Sequence, residues 1–513
     1  MTASWESFNA RSRPRRIRGG EIPAPDPVAW REQRRAAAKA AVAASRRRAE
    51  QAADPREDQP VAGLRIGRLN IDLDGVFAFA LFMPMLLIAN LGTLGAAIVA
   101  ALAPLYLFAR RKQLGRVLIP RLPLFALAGV AVCSVIWSEA PGETMKTSLE
   151  FAITIAMGLL LSSARDQGAV LRGMALAFLL YMAAAMVMGG TVAIGVGAGG
   201  EAFSGLTSSK NLLADIASTG LIVSVAMGLM ALRARDWIWV GVAAVAVLLD
   251  LYAVGAARSA GALLGLGIAL GAVLGLLPLL VAGKAVRASL TALLAIILLA
   301  VGLSYRWLST TMIELGANLF DKDPTLTGRT YLWYRAADLI RERPVLGRGY
   351  GAFWIQGNID AEGLWRYFGI ENRGGFTFHN TLVGMLVALG WLGALVFGAT
   401  LLIGAVALIR KFVVRPNLAM VFWISILLYQ VSRMGIEEIG TAPFYFSTAL
   451  TFAALGAAFG RVRAPRVAHR PYRQPQIVQV QSLDYGDQAW ANPRLTPVRG
   501  SLRVLRPDPE SGR

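Results

Sequence analysis

The stretch FTFHNTLVGMLVALGWLG, residues 376–393, sets a histidine and an asparagine directly before a long apolar run. Apolar runs of about 18 residues or more predict helices that cross a membrane. Comparable runs recur between about residue 75 and about residue 460, so this pattern decides the fold of most of the chain. The chain has only two histidines, His379 and His469, and one of them therefore stands where a predicted span meets water.

Composition indicates the same fold class. Of the 513 residues, 55% are hydrophobic and only 16% are charged, well below the ~25% charged residues of soluble domains. We therefore predict an all-α polytopic membrane protein with about 12 transmembrane helices and one large outer loop that itself contains helices. The predicted spans cover residues 75–91, 93–109, 122–138, 146–163, 173–193, 211–231, 237–256, 259–281, 288–304, 380–409, 418–433 and 442–460.

The predicted spans divide the chain into five parts. These are a basic, largely disordered N-terminal arm (1–70), helices 1–9 (71–304), a large loop (305–378), helices 10–12 (379–460) and a basic, disordered tail (461–513). The formal net charge is +20, and about half of the Lys and Arg residues lie in the arm and the tail. Basic segments that flank spans attract anionic lipid and stay in the cytoplasm, so we expect membrane lipids and no nucleic acid as their partners.

Basic residues in the short loops predict the orientation, because such loops stay on the cytoplasmic side. In the predicted topology all of these loops lie on one side, together with both termini. The loops are marked by Arg110, Arg111, Lys112, Arg116 and Arg121, by Arg165 and Arg172, by Arg233 and Arg235, by Lys284 and Arg287, and by Arg410, Lys411 and Arg415. The loop 305–378 then lies on the outer face. Connections of that length are often functional, so we expect chemistry there.

His379 is the first candidate for that chemistry. An imidazole exchanges a proton near neutral pH and could act as a general base. Equally, an interfacial histidine could serve only to satisfy a backbone carbonyl. Asn380 beside it could orient a substrate hydroxyl, or simply cap the helix that follows.

Arg258, on the outer side, is a candidate for binding an anion. Arg258, in GAARSAGALL, is the one basic residue of a short outer turn, where the usual charge bias disfavours it. A phosphate at headgroup depth would pair with its guanidinium, although a lipid headgroup or Asp250 on the same span would serve as well. Arg329 begins an amphipathic segment within residues 325–354, which Pro344 would end.

Other polar residues near the outer face carry weaker signals. Lys210 and Asn211 begin a predicted span, and Glu437 and Glu438 lie in the last outer loop; each could bind substrate, or be only a solvated or capping residue. Near Arg329, three aromatic residues are predicted to lie against the membrane or the spans: Tyr331, Trp333 and Tyr334. GRGYG, residues 347–351, lacks the spacing of a dinucleotide fingerprint and predicts a turn.

No residue pattern predicts a metal site, a disulfide or a bound cofactor. The outer loops have no histidine pair and no acidic cluster, and Asp321 and Asp323 are typical of a turn. Cys133 is the only cysteine, so no intramolecular disulfide can form.

Together these segments resemble the O-antigen ligase and polysaccharide polymerase superfamily. In that family a large outer loop precedes a span that begins with His-Asn or His-Ser, as in FHNTLVGMLVALGWLG, and Gly390 and Gly393 stand at the expected places. Gly-Arg-Thr (328–330), then Trp333 and RPVLGRGYGAFW (343–354), are most similar to exopolysaccharide polymerases of the ExoQ type, and SSKNLLA (208–214) also fits. The likeness covers roughly residues 200–395. The family's frequent glutamate shortly after the histidine is Ala388 here.

The resemblance implies an inverting, metal-independent glycosyl transfer at the periplasmic face of the bacterial inner membrane. The donor would be a glycan on undecaprenyl pyrophosphate, which Arg258 and Arg329 would hold while His379 activates the acceptor hydroxyl. Asn380, Lys210 and Asn211 would help to bind substrate. We expect a polymerase that lengthens lipid-linked exopolysaccharide.

Two alternatives remain open at this point. An O-antigen ligase would use the same residues but would transfer the glycan to a lipid A core acceptor. A lipid-linked sugar flippase would instead place ionisable residues at mid-membrane, where only Asp250 is clearly deep. A regulator of chain length is a candidate partner for a polymerase, but no residue pattern identifies it.

Overall fold

The computed structural model describes residues 63–66, 69–112, 114–164, 166–195, 198–303, 328–371, 373 and 375–459. Most of the predicted N-terminal arm, the whole of the predicted tail 461–513, Arg165 and residues 305–327 of the predicted loop lie outside the described residues.

The described chain is almost entirely helical. The helices that precede the large loop are α1 (Leu73–Leu86), α2 (Ile88–Leu91), α3 (Thr93–Ala109), α4 (Leu114–Leu118), α5 (Ala126–Cys133), α6 (Pro141–Ser162), α7 (Gln167–Met188), α8 (Lys210–Ala234), α9 (Trp237–Ala256), α10 (Ala260–Leu276) and α11 (Lys284–Leu303). Those of the loop and the C-terminal part are α12 (Arg329–Glu342), α13 (Ile359–Tyr367), α14 (Thr381–Val414), α15 (Leu418–Arg433) and α16 (Phe446–Phe459). Short 3₁₀ turns follow α4 at Ile119–Phe125, α5 at Ser134–Ile136 and α10 at Pro278–Leu280.

Within the part of the chain that the structure describes, seven helical segments are long and apolar enough to cross a membrane. They are Ile119–Ile136, Pro141–Ser162, Gln167–Met188, Lys210–Ala234, Trp237–Ala256, Ala260–Leu280 and Thr381–Val414. Four shorter apolar helices accompany them: α1, α3, α15 and α16. A mostly helical fold with seven candidate spans in the described residues is therefore observed, whereas the total of about 12 spans and the outer position of the loop stay predictions.

Two small hairpins depart from the all-helical prediction. Gly63–Ile66 (β1) pairs antiparallel with Leu69–Asp72 (β2), and Gly190–Gly195 (β3) pairs with Ala198–Gly205 (β4). The predicted span 173–193 runs too far, because α7 ends at Met188. Two consecutive glycines end that helix, and the β-branched residues that follow them favour a strand.

Helix α10 packs closely on α15 because two glycines face it. A Cβ on Gly261 would lie 2.2 Å from Cδ1 of Ile436, and one on Gly265 would lie 3.2 Å from Cγ of Arg433. Small residues at four-residue spacing let helix backbones approach in a membrane. This contact brings the start of α10, and with it Arg258, close to the connection that follows α15.

Helix α14 is broken at Gly390, whose φ of 61° and ψ of −161° are not helical. The turn predicted at residues 347–351 and the residues just before it supply hydrogen-bond partners for the backbone at the break. The N–H groups of Trp391 and Leu392 donate to the Pro344 and Val345 carbonyls over 2.8 and 3.1 Å. In return, the Arg348 and Gly349 N–H groups donate to carbonyls of α14 over 3.0 and 2.9 Å. Backbone groups freed at a break in a membrane helix must find such partners.

The break divides α14 into a short first part and a long second part. Residues 391–414 alone span about 36 Å as a helix, enough to cross a bilayer. An open cleft of about 280 Å³ lies beside the break, lined by Trp137 and residues 343–347, and His379 is not among its lining residues.

The loop helices have an apolar core of their own. Members of this core come from α12, α13 and the start of α14: Leu332, Ala336, Leu339, Phe353, Ala361, Leu364, Trp365, Phe378 and Val387. Phe378, the residue before His379, is 1% exposed within it. The loop therefore packs as a folded unit against the residue that precedes the candidate base.

The basic loops gather at the other end of the helices. Arg121 and Lys411 donate to the neighbouring carbonyls of Gly456 and Ala457, at the end of α16. Arg287 donates to the Val413 carbonyl, close to Lys411 in α14, over 2.9 Å. Since α14 runs from His379 to these residues, the helices separate the candidate site from this basic end.

Candidate active site

The connection between α15 and α16 carries two acidic residues, Glu437 and Glu438, directly after the last turn of α15. The Glu437 N–H donates to the Arg433 carbonyl over 2.9 Å. The Thr381 hydroxyl, in the first turn of α14, donates to the Glu437 carbonyl over 3.0 Å and accepts the Ile439 N–H over 2.8 Å. These bonds fix the connection against the start of α14 and bring the Glu437 carboxylate to His379.

His379 lies immediately before α14 with a positive φ of 50°, an uncommon conformation for a residue with a side chain. Its Nδ1 lies 2.9 Å from Oε2 of Glu437, and Nε2 has no hydrogen-bond partner among the described residues. The imidazole packs edge-on against Phe376, with ring centroids 5.7 Å apart, and its side chain is 29% exposed. A carboxylate at Nδ1 favours the tautomer with the proton on that atom, which leaves Nε2 able to accept one.

Arg329 meets the other oxygen of the same carboxylate. It is the first residue of α12 and follows Gly328, which has a φ of 84°. Its Nη2 lies 2.8 Å from Oε1 of Glu437, and its Nη1 donates to the Ile436 carbonyl. The Arg329 side chain is only 14% exposed. One carboxylate thus holds an imidazole on one oxygen and a guanidinium on the other.

The charge of Glu437 is fixed by these neighbours. Burial by itself would raise the pKa of the Glu437 carboxyl, but the hydrogen bond to His379 and the positive charges of Arg329 and Arg433 outweigh burial and lower the pKa from 4.5 to about 2. Glu437 is therefore ionised at neutral pH.

Asn211 connects this group to the turn that carries Arg258. Its Nδ2 donates to Oε1 of Glu437 over 3.3 Å, and its Oδ1 accepts the Ser259 hydroxyl over 3.0 Å. Arg258 precedes Ser259 in an exposed turn with a φ of 49°. The structure thus joins the Arg258 turn, Arg329 and His379 through Glu437 and Asn211.

Arg258 is not paired with Asp250, which corrects one of the alternatives drawn from the sequence. Both carboxylate oxygens of Asp250 are buried without a hydrogen-bond partner in the described chain. They lie instead against Gly220, where an added Cβ would be 2.9 Å from the nearer carboxylate oxygen. Because the Arg258 side chain is exposed, with no ion pair or hydrogen bond to a described residue, its guanidinium N–H groups are available to an anion.

Asn380 and Lys210 have more local roles in the structure. Asn380 caps α14, because its Oδ1 accepts the Val383 N–H over 3.1 Å and its Nδ2 donates to the Gly435 carbonyl over 3.0 Å. Both ends of its amide are therefore engaged. Lys210 is the first residue of α8, beside Asn211.

One aromatic residue of α12 supports the candidate site. Trp333 donates its Nε1–H to the Phe378 carbonyl over 2.8 Å, and so supports the backbone just before His379. Phe353 and Trp354, next to the GRGYG turn, pack with Phe378 at centroid distances of 5.1 and 5.0 Å.

The sequence did not single out Glu437 as the centre of the site. A signal was present, since IEEIG is an acidic pair inside an otherwise apolar C-terminal region. Its distance of 58 positions from His379 concealed the pairing, which only the fold creates. Thr381, Trp333 and Arg433 were missed as supporting residues for the same reason.

Among the described residues, no group of three or more His, Cys, Asp or Glu could hold a metal ion. What the site does offer is a proton acceptor at Nε2 of His379 and two guanidinium groups. Such a set suits proton removal from a hydroxyl next to a group that develops negative charge.

Comparison with known proteins gives a match to one family model. Residues 245–398 match the family model described as O-antigen ligase. This match confirms the resemblance predicted from the sequence, and the matched range contains Arg258, Arg329 and His379. Asn211 and Glu437, which join the three, lie outside the matched range.

A curated relative extends the match over most of the chain. It is the exopolysaccharide production protein ExoQ of Rhizobium meliloti (strain 1021), 28% identical over 364 residues, which cover 69% of this chain and 80% of that protein. The family and the apolar helices support a membrane enzyme of the glycosyltransferase type that handles lipid-linked glycans.

Proposed function

We propose that this protein polymerises lipid-linked oligosaccharide repeat units into a surface polysaccharide. The donor is a repeat-unit glycan on undecaprenyl pyrophosphate, and the reaction takes place at the periplasmic face of a bacterial inner membrane. The observation that carries the proposal is the Glu437 carboxylate, which joins His379 and Arg329 and is linked through Asn211 to the turn of Arg258. The ExoQ relative favours the polymerase over the ligase.

In this mechanism His379 removes the proton from the acceptor. Nε2 of His379 takes the hydroxyl proton of the non-reducing terminal sugar as that oxygen attacks the anomeric carbon of the donor. The imidazole then carries a positive charge, which the Glu437 carboxylate, 2.9 Å from Nδ1, stabilises. Glu437 also holds the ring orientation, so it is a positioning residue that touches neither sugar.

The two arginines act on the leaving group. The bond from the anomeric carbon to the phosphate oxygen breaks, and the undecaprenyl pyrophosphate keeps the electron pair. Attack from the opposite face inverts the configuration at the anomeric carbon. Arg258 and the remaining N–H groups of Arg329 stabilise the developing charge in the way that fixed cations stabilise such transition states, so the mechanism needs no metal.

Substitution of His379 tests this mechanism. Purified His379→Ala protein, reconstituted in vesicles with carrier-linked repeat units, should form glycosidic bonds at least about 10²-fold more slowly than the wild type. His469→Ala, the same substitution at the other histidine of the chain, is the matched control and should not change the rate. Wild-type rates in the His379 variant would reject the mechanism.

Glycolipid analysis of cells that lack the protein distinguishes the alternatives. Loss of long chains, with single repeats still present on lipid A, indicates a polymerase. Complete loss of glycan from lipid A, with normal polymer on the carrier, indicates a ligase. If purified protein moves the carrier-linked unit across vesicles without forming a glycosidic bond, the protein is a transporter.

A further inference from the structure

Three tyrosines of the loop helices form an exposed aromatic surface, which we call the tyrosine face: Tyr331 and Tyr334 of α12 and Tyr367 of α13. Their side chains are 37%, 63% and 62% exposed. The rings of Tyr331 and Tyr367 lie 4.3 Å apart between centroids, at 32°. Exposed aromatic groups that cluster on a folded surface commonly mark a binding site.

Charged side chains lie beside the rings of the tyrosine face, as expected of a surface that faces water. Arg335 and Asp338 lie on the same face of α12 as Tyr331 and Tyr334, at three- and four-residue spacing. Arg335 pairs with Asp338 over 3.3 Å and with Asp360 of α13 over 3.6 Å. In contrast, the exposed neighbours of Tyr252 on the spanning helix α9 are apolar, namely Val245, Leu248 and Leu251. Ion pairs do not belong on a lipid-facing surface.

A continuous series of ring contacts joins the tyrosine face to the candidate site. Tyr367 packs on Phe368 at 5.0 Å, Phe368 on Phe376 at 5.4 Å, and Phe376 on His379 at 5.7 Å. Tyr334 lies five residues beyond Arg329, about 7.5 Å further along α12. The tyrosine face and His379 therefore lie at the two ends of one series of packed rings.

The chemistry of this surface fits sugar rings. The C–H groups on one side of a pyranose carry partial positive charge and pack on the negative face of an aromatic ring, while sugar hydroxyls hydrogen-bond to charged groups beside it. From this geometry we infer that the tyrosine face binds the acceptor glycan, holding the sugar residues behind the one that reacts at His379. This inference rests on the proposed function and names the binding surface for its acceptor.

Titration with soluble oligosaccharides tests the inference without any need for turnover. The probe is a set of fragments from partial acid hydrolysis of the exopolysaccharide of the same cells. Calorimetry on the detergent-purified protein should show binding that weakens about fivefold or more in Tyr334→Ala and in Tyr367→Ala, as expected when an anchor side chain is removed. Tyr334→Phe, which keeps the ring, should bind like the wild type, and Tyr252→Ala is the matched control.

Each other outcome overturns the inference. Equal affinity in the alanine variants, or no binding by the wild type, would place the glycan elsewhere. A spin label at Tyr334→Cys, in a Cys133→Ser background, should report water; burial in hydrocarbon would make the tyrosine face a membrane anchor.

A second readout keeps this test separate from that of the proposed function. In vesicles with carrier-linked units, the alanine variants should make shorter chains than the wild type. A wild type that binds fragments but forms no bonds would refute the proposed function and leave the glycan surface standing. Chains of normal length in both alanine variants would refute the glycan surface and leave the proposed function standing.

Discussion

Replacing Glu437 by glutamine removes the one charge that His379 and Arg329 share, and its effect can be estimated from the structure. The surroundings lower the Glu437 pKa from 4.5 to about 2, which corresponds to about 3 kcal/mol in favour of the carboxylate. The Glu437 side chain is only 16% exposed, so solvent screens this interaction little. In the proposed mechanism the same carboxylate stabilises the imidazolium that forms during reaction. Arg329 and Arg433 contribute to this shift as well as His379, so about 3 kcal/mol is the largest loss that the transition state can suffer, and it corresponds to a rate about 10²-fold lower.

The assay for this prediction is a single-turnover measurement of bond formation in vesicles that contain carrier-linked repeat units. Glu437→Gln should react up to about 10²-fold more slowly than the wild type, whereas Glu437→Asp, which keeps the charge at a shorter reach, should fall between the two. Glu143→Gln removes an exposed carboxylate, paired with Lys146 over 3.0 Å, and should have no effect. A rate for Glu437→Gln within about threefold of the wild type would refute the coupling of carboxylate and imidazole.

Three further predictions concern stability and substrate binding. Gly390→Ala should lower the thermal unfolding midpoint, because its Cβ would lie 2.4 Å from the Val345 carbonyl and its φ is positive; Gly398→Ala, with nothing within 4 Å, should not. Burial raises the pKa of the Glu438 carboxyl from 4.5 to about 7, so this carboxyl ionises at a lower pH in the unfolded chain than in the folded one. The free energy of unfolding of the wild type should therefore fall by up to about 3 kcal/mol as the pH rises from 4.5 through 7. Glu438→Gln should lack that fall in unfolding scans, and an unchanged pH dependence would contradict it. Arg258→Ala should leave the unfolding midpoint unchanged and raise the KM for carrier-linked donor about tenfold, as loss of a charged hydrogen bond predicts; an unchanged KM would remove Arg258 from the donor site.

The sequence could predict the helices because lipid imposes a simple rule on them. A span must be about 20 apolar residues long, so hydropathy locates it without knowledge of its neighbours. Each predicted span accordingly overlaps a helix or 3₁₀ turn of the structure. The ends were less predictable, as β3 shows: glycines and β-branched residues at 190–195 form a strand where hydropathy alone continued a helix.

The break at Gly390 could not be predicted, because its cause lies in another segment. The residues around it are apolar and read as one continuous span. Only the carbonyls of Pro344 and Val345, some 45 positions earlier, make a broken backbone tolerable there. The same turn is also held by Arg348, which pairs with Glu139 over 2.6 Å. Hydropathy carries no information on such partnerships between distant segments.

The sequence analysis named three residues of the candidate site, but it did not predict the contacts that connect them. Arg258 and His379 could be chosen because each is an unusual residue for its place in an apolar chain, and Arg329 was chosen from the resemblance to the family. In the sequence, nothing distinguished Glu437 from the neighbouring Glu438 as a candidate for a functional role. Its importance comes from geometry alone, since its two oxygens contact two of the chosen residues at 2.9 and 2.8 Å.

The arrangement of charge along the helices gives this site a physical reason to lie where it does. Helix α8 begins with Lys210 and Asn211 beside Glu437 and ends 25 residues later near Arg233, a length of about 38 Å. Helix α14 likewise runs from His379 to Lys411. At the basic end, Arg121, Lys411 and Arg287 are used to cap carbonyls of neighbouring helices. At the other end, Arg329 is held by a carboxylate and Arg258 is left exposed. The two ends of these helices therefore differ in how their cations are used: Arg121, Lys411 and Arg287 hold helix carbonyls at one end, whereas at the other end Asn211 joins the turn of the exposed Arg258 to the carboxylate that holds His379 and Arg329.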